Sequence, residues 1–467
     1  MTEELQVGGR VRRLRRQRHL TQGDLAAAVG ISASYLNLIE HNRRRVTVPL
    51  LFKLAGYFGL EPGELVASDE ARIAADLMEA FSDEFFADDD VTNQDIRDLA
   101  SGNPVAARAV LRLFDRYRQL SRHGEGAQQS DRGADVHPAT EAISDFLQDR
   151  SNYFPGLEGA AERVRAEIDN AGEDFATGLR TYLRNVLGLE WTLASLPLDL
   201  ARRLSPDGRQ LQVSDILPPE SAQFAVAHDL AMRVAGGEIR AAISEAGLPE
   251  GDAPVLAENV LASYFAAALI MPYDGFSRAA RDNRYDIDRL ARQFGASFEQ
   301  VCHRLTTLQR PGNSGVPLHL VRTDIAGNVS KRFSLSGLGI PRHSGACPRW
   351  NIYSAFLRPG EINVQLSRMP DGETYFCVAR SLTKGDYRHN APRRHFSIGI
   401  GCRIEFARQF VYADGLDLEN PTQIVPVGAG CRICPRLDCG QRAHPPAGHR
   451  FQLDPEQRAA SIYSRLR

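Results

Sequence analysis

The sequence predicts a multidomain chain, mainly α with α+β, and three observations carry that expectation. Apolar residues recur at helical spacing through most of residues 1–310. After Pro317, apolar and polar residues alternate in paired short runs, the pattern of β-hairpins. The chain has 467 residues, too many for one hydrophobic core.

Composition narrows the class. Hydrophobic residues make up 43% and charged residues 24%, as in an ordinary globular protein. The formal net charge is -2, so a polyanion-binding surface has to be local. Seven cysteines, few and odd in number, argue against a secreted disulfide framework. The start, Met1-Thr2-Glu3-Glu4, has no apolar signal core, and no run of 18 apolar residues occurs. The expectation is a cytoplasmic protein without a membrane span.

Residues 1–67 read as a five-helix head. Gly8 to His19 carries six arginines, with Val11 and Leu14 at helical spacing. In the next segment, Leu20 to Gly30, Thr21 is placed to cap a short helix and Gly30 to end it in a left-handed turn. Ile31 to Glu40 follows as a third helix, and Leu25, Val29, Ile31, Leu36 and Ile39 supply a shared core. Pro49 to Phe58 and Pro62 to Leu65 complete the set. The run from Thr21-Gln22 to Ile39-Glu40 resembles the lambda-repressor-like helix-turn-helix. That resemblance implies a recognition helix over Ser32–Glu40, set in the major groove of double-stranded DNA. Gln22, Ser32, Ser34, Tyr35 and Asn37 are the candidates for base-edge and phosphate contacts, and Arg43 and Arg44 for gripping the backbone. Ten Lys/Arg against six Asp/Glu in this segment give +4, the excess that phosphate neutralisation needs.

Residues 68–121 form a helical connector. Charge inverts here: residues 69–98 hold eleven Asp/Glu against two Arg. Apolar residues at helical spacing, among them Ile73, Leu77, Phe81, Leu99, Val110 and Phe114, predict two or three amphipathic helices. The polar faces fit either solvated surface or a dimerising arm. Residues 122–138 are polar and Gly-containing, and read as a linker.

Residues 139–310 begin with helices over 137–150, 157–171 and 174–186, followed by short strands at 190–193, 198–204 and 209–213. Phe224-Ala225-Val226-Ala227-His228-Asp229-Leu230-Ala231-Met232 resembles the zinc-binding helix of ImmA/IrrE-type peptidases, and Leu261 to Pro272 resembles their downstream helix. The peptidase motif works because two histidines four apart face one zinc beside a glutamate base. Here His228 keeps the first ligand position, Asp229 shortens the base, Met232 replaces the second ligand and Leu261 the third. The expectation is a degenerate zinc-peptidase-like domain without catalysis, its cleft reused for a small ligand with an acyl part. Arg180, Tyr182 and Arg184 on one helix, Arg278 and Arg281 after the Met271-Pro272 corner, and His228 and Tyr264 on the motif helices are the candidate ligand residues. Residues 287–309 imitate a second helix-turn-helix and are read as structural.

Residues 311–467 predict an α+β domain with hairpins over 317–322/329–334 and 361–368/373–382, and a strand passing into a helix over 395–413. Cys431, Cys434 and Cys439 are spaced C-x2-C-x4-C, which aims thiolates at one metal. Cys347, in Gly345-Ala346-Cys347-Pro348-Arg349-Trp350-Asn351, is the best fourth ligand, with His343 and His444 as alternatives. Cys302, Cys377 and Cys402 sit in apolar or strand-like settings and read as core thiols. Spacing does not separate an iron–sulfur cluster from a four-cysteine zinc site.

The order of parts, with the Cys347 segment and the Cys431 to Pro446 segment, resembles the short-chain fatty acyl-CoA regulators of propionate and acetate metabolism. The resemblance spans nearly the whole chain. It implies a transcription factor rather than an enzyme, gated by a short acyl-CoA such as propionyl-CoA and acting on a DNA operator. It also implies a 4Fe-4S cluster on Cys347, Cys431, Cys434 and Cys439. A homodimer is expected because heads of this type read paired half-sites. A metal-dependent peptidase of the ImmA/IrrE type and a purely redox-gated iron–sulfur transcription factor are the alternatives.

Overall fold

A computed structural model of the chain describes residues 11–12, 14–15, 18, 20–40, 44, 46–58, 70–81, 83–86, 91, 93–124, 138–197, 200–341, 345–385 and 393–444, so the first two residues of the strand expected over 198–204 lie outside them. Arg43, His343, the expected helix at 62–65 and residues 125–137 of the expected linker lie outside them. Two compact units emerge. One comprises residues 1–133, 337–344 and 429–467, the other residues 134–336 and 345–428.

In the first unit, helices Gln22–Val29, Ala33–Glu40 and Val48–Phe58 close on Val11, Leu25, Leu36, Ile39, Leu54 and Phe58. Local chemistry fixes the boundaries. Thr21 and Asp24 form a reciprocal capping box, and Gly30 turns the chain at φ 75°. The connector folds as helices Glu70–Ala80, Asn93–Gly102 and Pro104–Gly124 around Ile73, Leu77, Ile96, Ala100 and Ala107. The last helix runs on through Arg122-His123-Gly124, the first residues of the expected linker.

The second unit opens with helices Pro138–Asp149, Pro155–Ala171 and Phe175–Leu187. Gly178 lets two of them touch: a Cβ there would stand 2.2 Å from the Ile168 carbonyl oxygen. A three-stranded sheet follows, β1 (Glu190–Ala194), β2 (Arg202–Leu204) and β3 (Gln210–Ser214), in the order β1-β3-β2. Helices Pro219–Val234, Gly236–Ala246, Asp252–Ile270, Tyr273–Asp282, Ile287–Phe294 and Phe298–Thr306 complete the middle domain. The 252–270 helix is long and apolar enough to cross a membrane, yet 61% of its apolar window is buried, with Leu261 and Phe265 in the core.

The second sheet has six strands: β4 (His319–Asp324), β5 (Val329–Ser334), β6 (Asn363–Arg368), β7 (Thr374–Lys384), β8 (Arg394–Arg403) and β9 (Ile424–Pro426). They run in the order β5-β4-β8-β7-β6-β9, antiparallel except where β6 meets β9. Gly401 on β8 has no alternative, because a Cβ would stand 2.3 Å from the Phe376 carbonyl oxygen and 2.6 Å from His319 Nε2.

The expected boundary at 310 divides no core. One apolar cluster runs from Phe146 and Trp191 through Leu305 and Leu318 to Phe376 and Ile424. At its heart, the Arg304 guanidinium meets Glu158 in two hydrogen bonds of 2.6 and 2.9 Å, both side chains buried. The 298–306 helix, which imitates a recognition helix in sequence, buries Phe298, Glu299, Val301, Cys302, Arg304 and Leu305. That leaves it no face for a DNA groove.

Candidate nucleic-acid interface and the altered peptidase centre

The reading head is built on one buried charge. Glu40, at the end of the 33–40 helix, accepts from Arg15 Nε at 2.6 Å and from Arg15 Nη2 at 3.0 Å. It also accepts from Gln22 Nε2 at 2.8 Å. Burial works to raise the Glu40 carboxyl, and the hydrogen bonds from Arg15 and Gln22 overcome it, holding the group below the usual carboxylate range. The same Gln22 amide lies 3.3 Å from Asn37 Oδ1. Two expected base-reading residues on different helices are therefore brought together and aimed by a third group. Ser32 accepts from the Tyr35 amide at 3.1 Å, so it caps the recognition helix. Ser34, Asn37 and Arg44 are exposed, and Tyr35 is half-buried against the core.

Sequence reading passed over two features. Leu38 is 40% exposed beside Asn37 and offers an apolar contact of the kind thymine methyls accept. Arg15 was counted with the phosphate-binding cations, but it is spent on Glu40. Its position one turn before Arg18 gave no sign of that role.

The altered peptidase centre contains a cation supplied by the protein. Arg202, on β2, donates from Nη1 to Asp229 Oδ1 at 2.5 Å, and its Nη2 lies 3.3 Å from His228 Nδ1. Arg233 donates to the second Asp229 oxygen at 2.7 Å. Both oxygens of the carboxylate at the general-base position are therefore engaged by guanidinium groups. His228 Nε2 lies 3.3 Å from the Asn259 carbonyl oxygen. Burial, then the charge of Arg202, pushes the imidazole below its ordinary value, so it is neutral at pH 7. Met232 is exposed and Leu261 is fully buried among apolar side chains. Neither replaces the zinc ligand it displaces.

The expected ligand residues are scattered. Arg180 and Arg184 are exposed on one face of the 175–187 helix, while Tyr182 is buried on another and its hydroxyl is pushed up by burial. The Arg180 guanidinium stacks 4.0 Å over the Trp191 ring and donates to its carbonyl at 3.0 Å. Tyr264 is buried and its hydroxyl donates to Glu158 at 2.6 Å. Arg281 is tied to Ser277 and Asn313, and Arg278 is exposed.

In the cysteine loop, Arg442 is buried and acts as the organising cation. It donates to the carbonyls of Cys431 at 2.6 Å, Cys434 at 2.8 Å and His444 at 3.2 Å, and also to that of Arg436. The Ala443 amide points at Cys431 Sγ from 3.4 Å. All seven cysteines are unbridged. Three free thiols in one nine-residue loop, with an amide turned to a sulfur, are a donor set that suits a thiolate-bound metal or cluster. Among the described residues, however, no three His, Cys, Asp or Glu side chains converge as a metal-holding group. Cys347 is buried in the other compact unit, just before Trp350, whose indole donates to the Gly428 carbonyl at 2.9 Å. Cys302 and Cys402 are fully buried, and burial pushes the Cys377 thiol up to about 12.

Three family models match the chain. Residues 11–65 match a helix-turn-helix model, 194–306 an IrrE N-terminal-like domain, and 307–463 the short-chain fatty acyl coenzyme A regulator, C-terminal. The chain is 36% identical over 463 residues to the HTH-type transcriptional regulator PrpR of Mycobacterium tuberculosis, covering 98% of this chain and 95% of that protein. It is 37% identical over 469 residues to the regulator RamB of the same organism, covering 98% of each. It is 37% identical over 468 residues to a propionyl-CoA carboxylase regulator of Cereibacter sphaeroides, covering 99% of each. A solved structure of a Mycobacterium tuberculosis transcriptional regulator superposes with a TM-score of 0.66 at 39% identity, covering 71% of this chain and all of that one.

Proposed function

The chain belongs to the short-chain fatty acyl-coenzyme A regulator family, and from that premise we propose a DNA-binding regulator of propionate-related metabolism whose operator affinity is set by a short-chain acyl-CoA. One observation carries the reading. An organised DNA-reading face, with Gln22 and Asn37 aimed by Glu40, shares a chain with a peptidase centre in which Arg202 engages Asp229 and His228. Recognition is retained and hydrolysis is disabled, so the middle domain serves as a receiver and no peptide is cut.

Acyl-CoA is an apolar tail on a phosphorylated carrier, and its site needs cations beside an apolar wall. Arg180, stacked on Trp191, and Arg184 on the same exposed helix face are the first candidates for the phosphates, with Arg278 next. Gating requires that the ligand bind the DNA-competent and DNA-released states with different affinity. The chain works in the cytoplasm as a homodimer, because helix-turn-helix heads read paired half-sites one helical turn apart.

Cys347, Cys431, Cys434 and Cys439 would hold a 4Fe-4S cluster, with zinc as the alternative. When bound, the group supplies four strong thiolate crosslinks and, in the case of iron, a redox-sensitive charge. Arg442 and the Ala443 amide set the loop that presents three of those sulfurs.

Mobility shift of a DNA fragment from upstream of propionate-metabolism genes, with and without propionyl-CoA, tests the reading. A shift that changes with propionyl-CoA and not with free CoA supports it. An unchanged shift at saturating ligand overturns the gating.

A further inference from the structure

We propose that Val105, Ala109, Leu113 and Tyr117 form a self-complementary ridge on the 104–124 helix that takes a second copy of this chain in antiparallel register. The inference rests on the paired reading heads proposed above and adds which face joins them.

The helix already spends one face on its own fold. Ala107 and Phe114 are buried, and Val110 and Leu111 pack against the apolar cluster of the 70–80 and 93–102 helices. On the opposite side, every fourth residue from Val105 to Tyr117 is apolar and exposed. Leu113 is 71% and Val105 70% accessible. Residues four apart stack along a helix, so these four make one continuous ridge about 18 Å long at about 1.5 Å per residue. Solvation alone gives no reason to align valine and leucine in this way. Phe85, 57% exposed, lengthens the ridge by packing on Tyr117 with ring centroids 4.4 Å apart.

The spacing fits a copy of itself. About a two-fold axis passing beside residue 111, Leu113 of one chain meets Ala109 of the other, and the Tyr117–Phe85 end meets Val105. Each bulky group then faces a small one, as an isologous helix–helix contact requires. Charge fits the same arrangement. The 104–124 helix carries five arginines against one aspartate, and Phe85 follows directly on Asp83-Glu84. The antiparallel pairing sets the acidic turn beside Phe85 in one chain against the Arg108–Arg112 half of the helix in the other. A ridge in the same compact unit as the reading head is also well placed to hold two heads at a fixed separation.

Light scattering on the eluting full-length chain tests this, using wild type, Leu113→Glu, Val105→Glu and the milder Leu113→Gln. The three substitutions fall on exposed positions, and circular dichroism checks that each variant keeps its helical content. The expected result is a wild-type mass of twice 51.6 kDa, with each glutamate variant at or near 51.6 kDa at the same micromolar concentration. Leu113→Gln should weaken the dimer at least about tenfold. A dimeric wild type whose folded variants stay dimeric overturns this surface and leaves the paired heads standing. A wild type that is monomeric both alone and on DNA carrying two half-sites overturns both.

Discussion

The guanidinium of Arg202 stands 2.5 Å from Asp229 Oδ1, with its other nitrogen 3.3 Å from His228 Nδ1. A positive group of the protein's own therefore satisfies the acid and the imidazole that a metal peptidase would use around zinc. Met232→His alone should gain no zinc beyond what wild type retains after dialysis, measured by atomic emission, because Arg202 holds both neighbours. Met232→His combined with Arg202→Ala and Leu261→Glu, which together restore three ligand positions, should gain it. In Arg202→Ala by itself, the His228 titration followed by NMR should move upward towards the ordinary histidine value, since one of the two effects that depress it is gone.

The Arg15–Glu40 pair predicts a costly single deletion. Arg15→Ala leaves a buried carboxylate without its cation, and should cost the reading head about 3–5 kcal/mol in denaturant melts. The sign of the pH effect follows from the depressed Glu40 carboxyl. Its contribution is fully present above the ordinary carboxylate range and is lost as pH falls through the lower folded value.

DNA contacts should separate by kind. Asn37→Ala should relax discrimination at one operator position by about 1–3 kcal/mol, since amide side chains read adenine edges bidentately. Arg44→Ala should weaken binding evenly across sequences and lower the salt-dependence slope by about one. Binding isotherms over a salt series on matched and singly substituted operators check both.

His319 predicts acid sensitivity of the six-stranded sheet. Burial pushes its imidazole down to about 3, with Nδ1 2.8 Å from Ser336 Oγ and Nε2 3.6 Å from Cys377 Sγ. The unfolded chain takes up a proton near pH 6.5 that the folded chain refuses. Stability should therefore fall as pH drops from about 6.5 towards 3. Urea midpoints for wild type and His319→Gln across that range test this, the variant losing most of the slope attributable to this residue.

Much of the architecture was legible because local signals and tertiary packing agree. Thr21 announces a helix cap, Gly30 a left-handed stop, and the alternation on either side of Ile325-Ala326-Gly327-Asn328 a hairpin; each appears as read, and Asp24 completes the cap as a reciprocal box. The substitutions at Asp229, Met232 and Leu261 were equally plain, because a metal motif fixes both residue type and spacing. Arg202 was not legible as the group facing them. It lies on a strand 27 residues from Asp229, and no periodicity links a guanidinium to a carboxylate in another element. Arg442 was hidden for a different reason: its partners are backbone carbonyls, which leave no trace in sequence. The continuous core across residue 310 went unseen because apolar strands read the same whether they close their own domain or join a neighbour's.

The most direct test of the central claim is fluorescence anisotropy of the full-length chain on a labelled operator duplex, titrated with propionyl-CoA and, separately, with free CoA. The account predicts that propionyl-CoA changes the operator dissociation constant at least about fivefold, the low end of measured coupling between sites, while free CoA changes it less. Binding to the duplex that is indifferent to both ligands at saturation, or no binding at all, would contradict it.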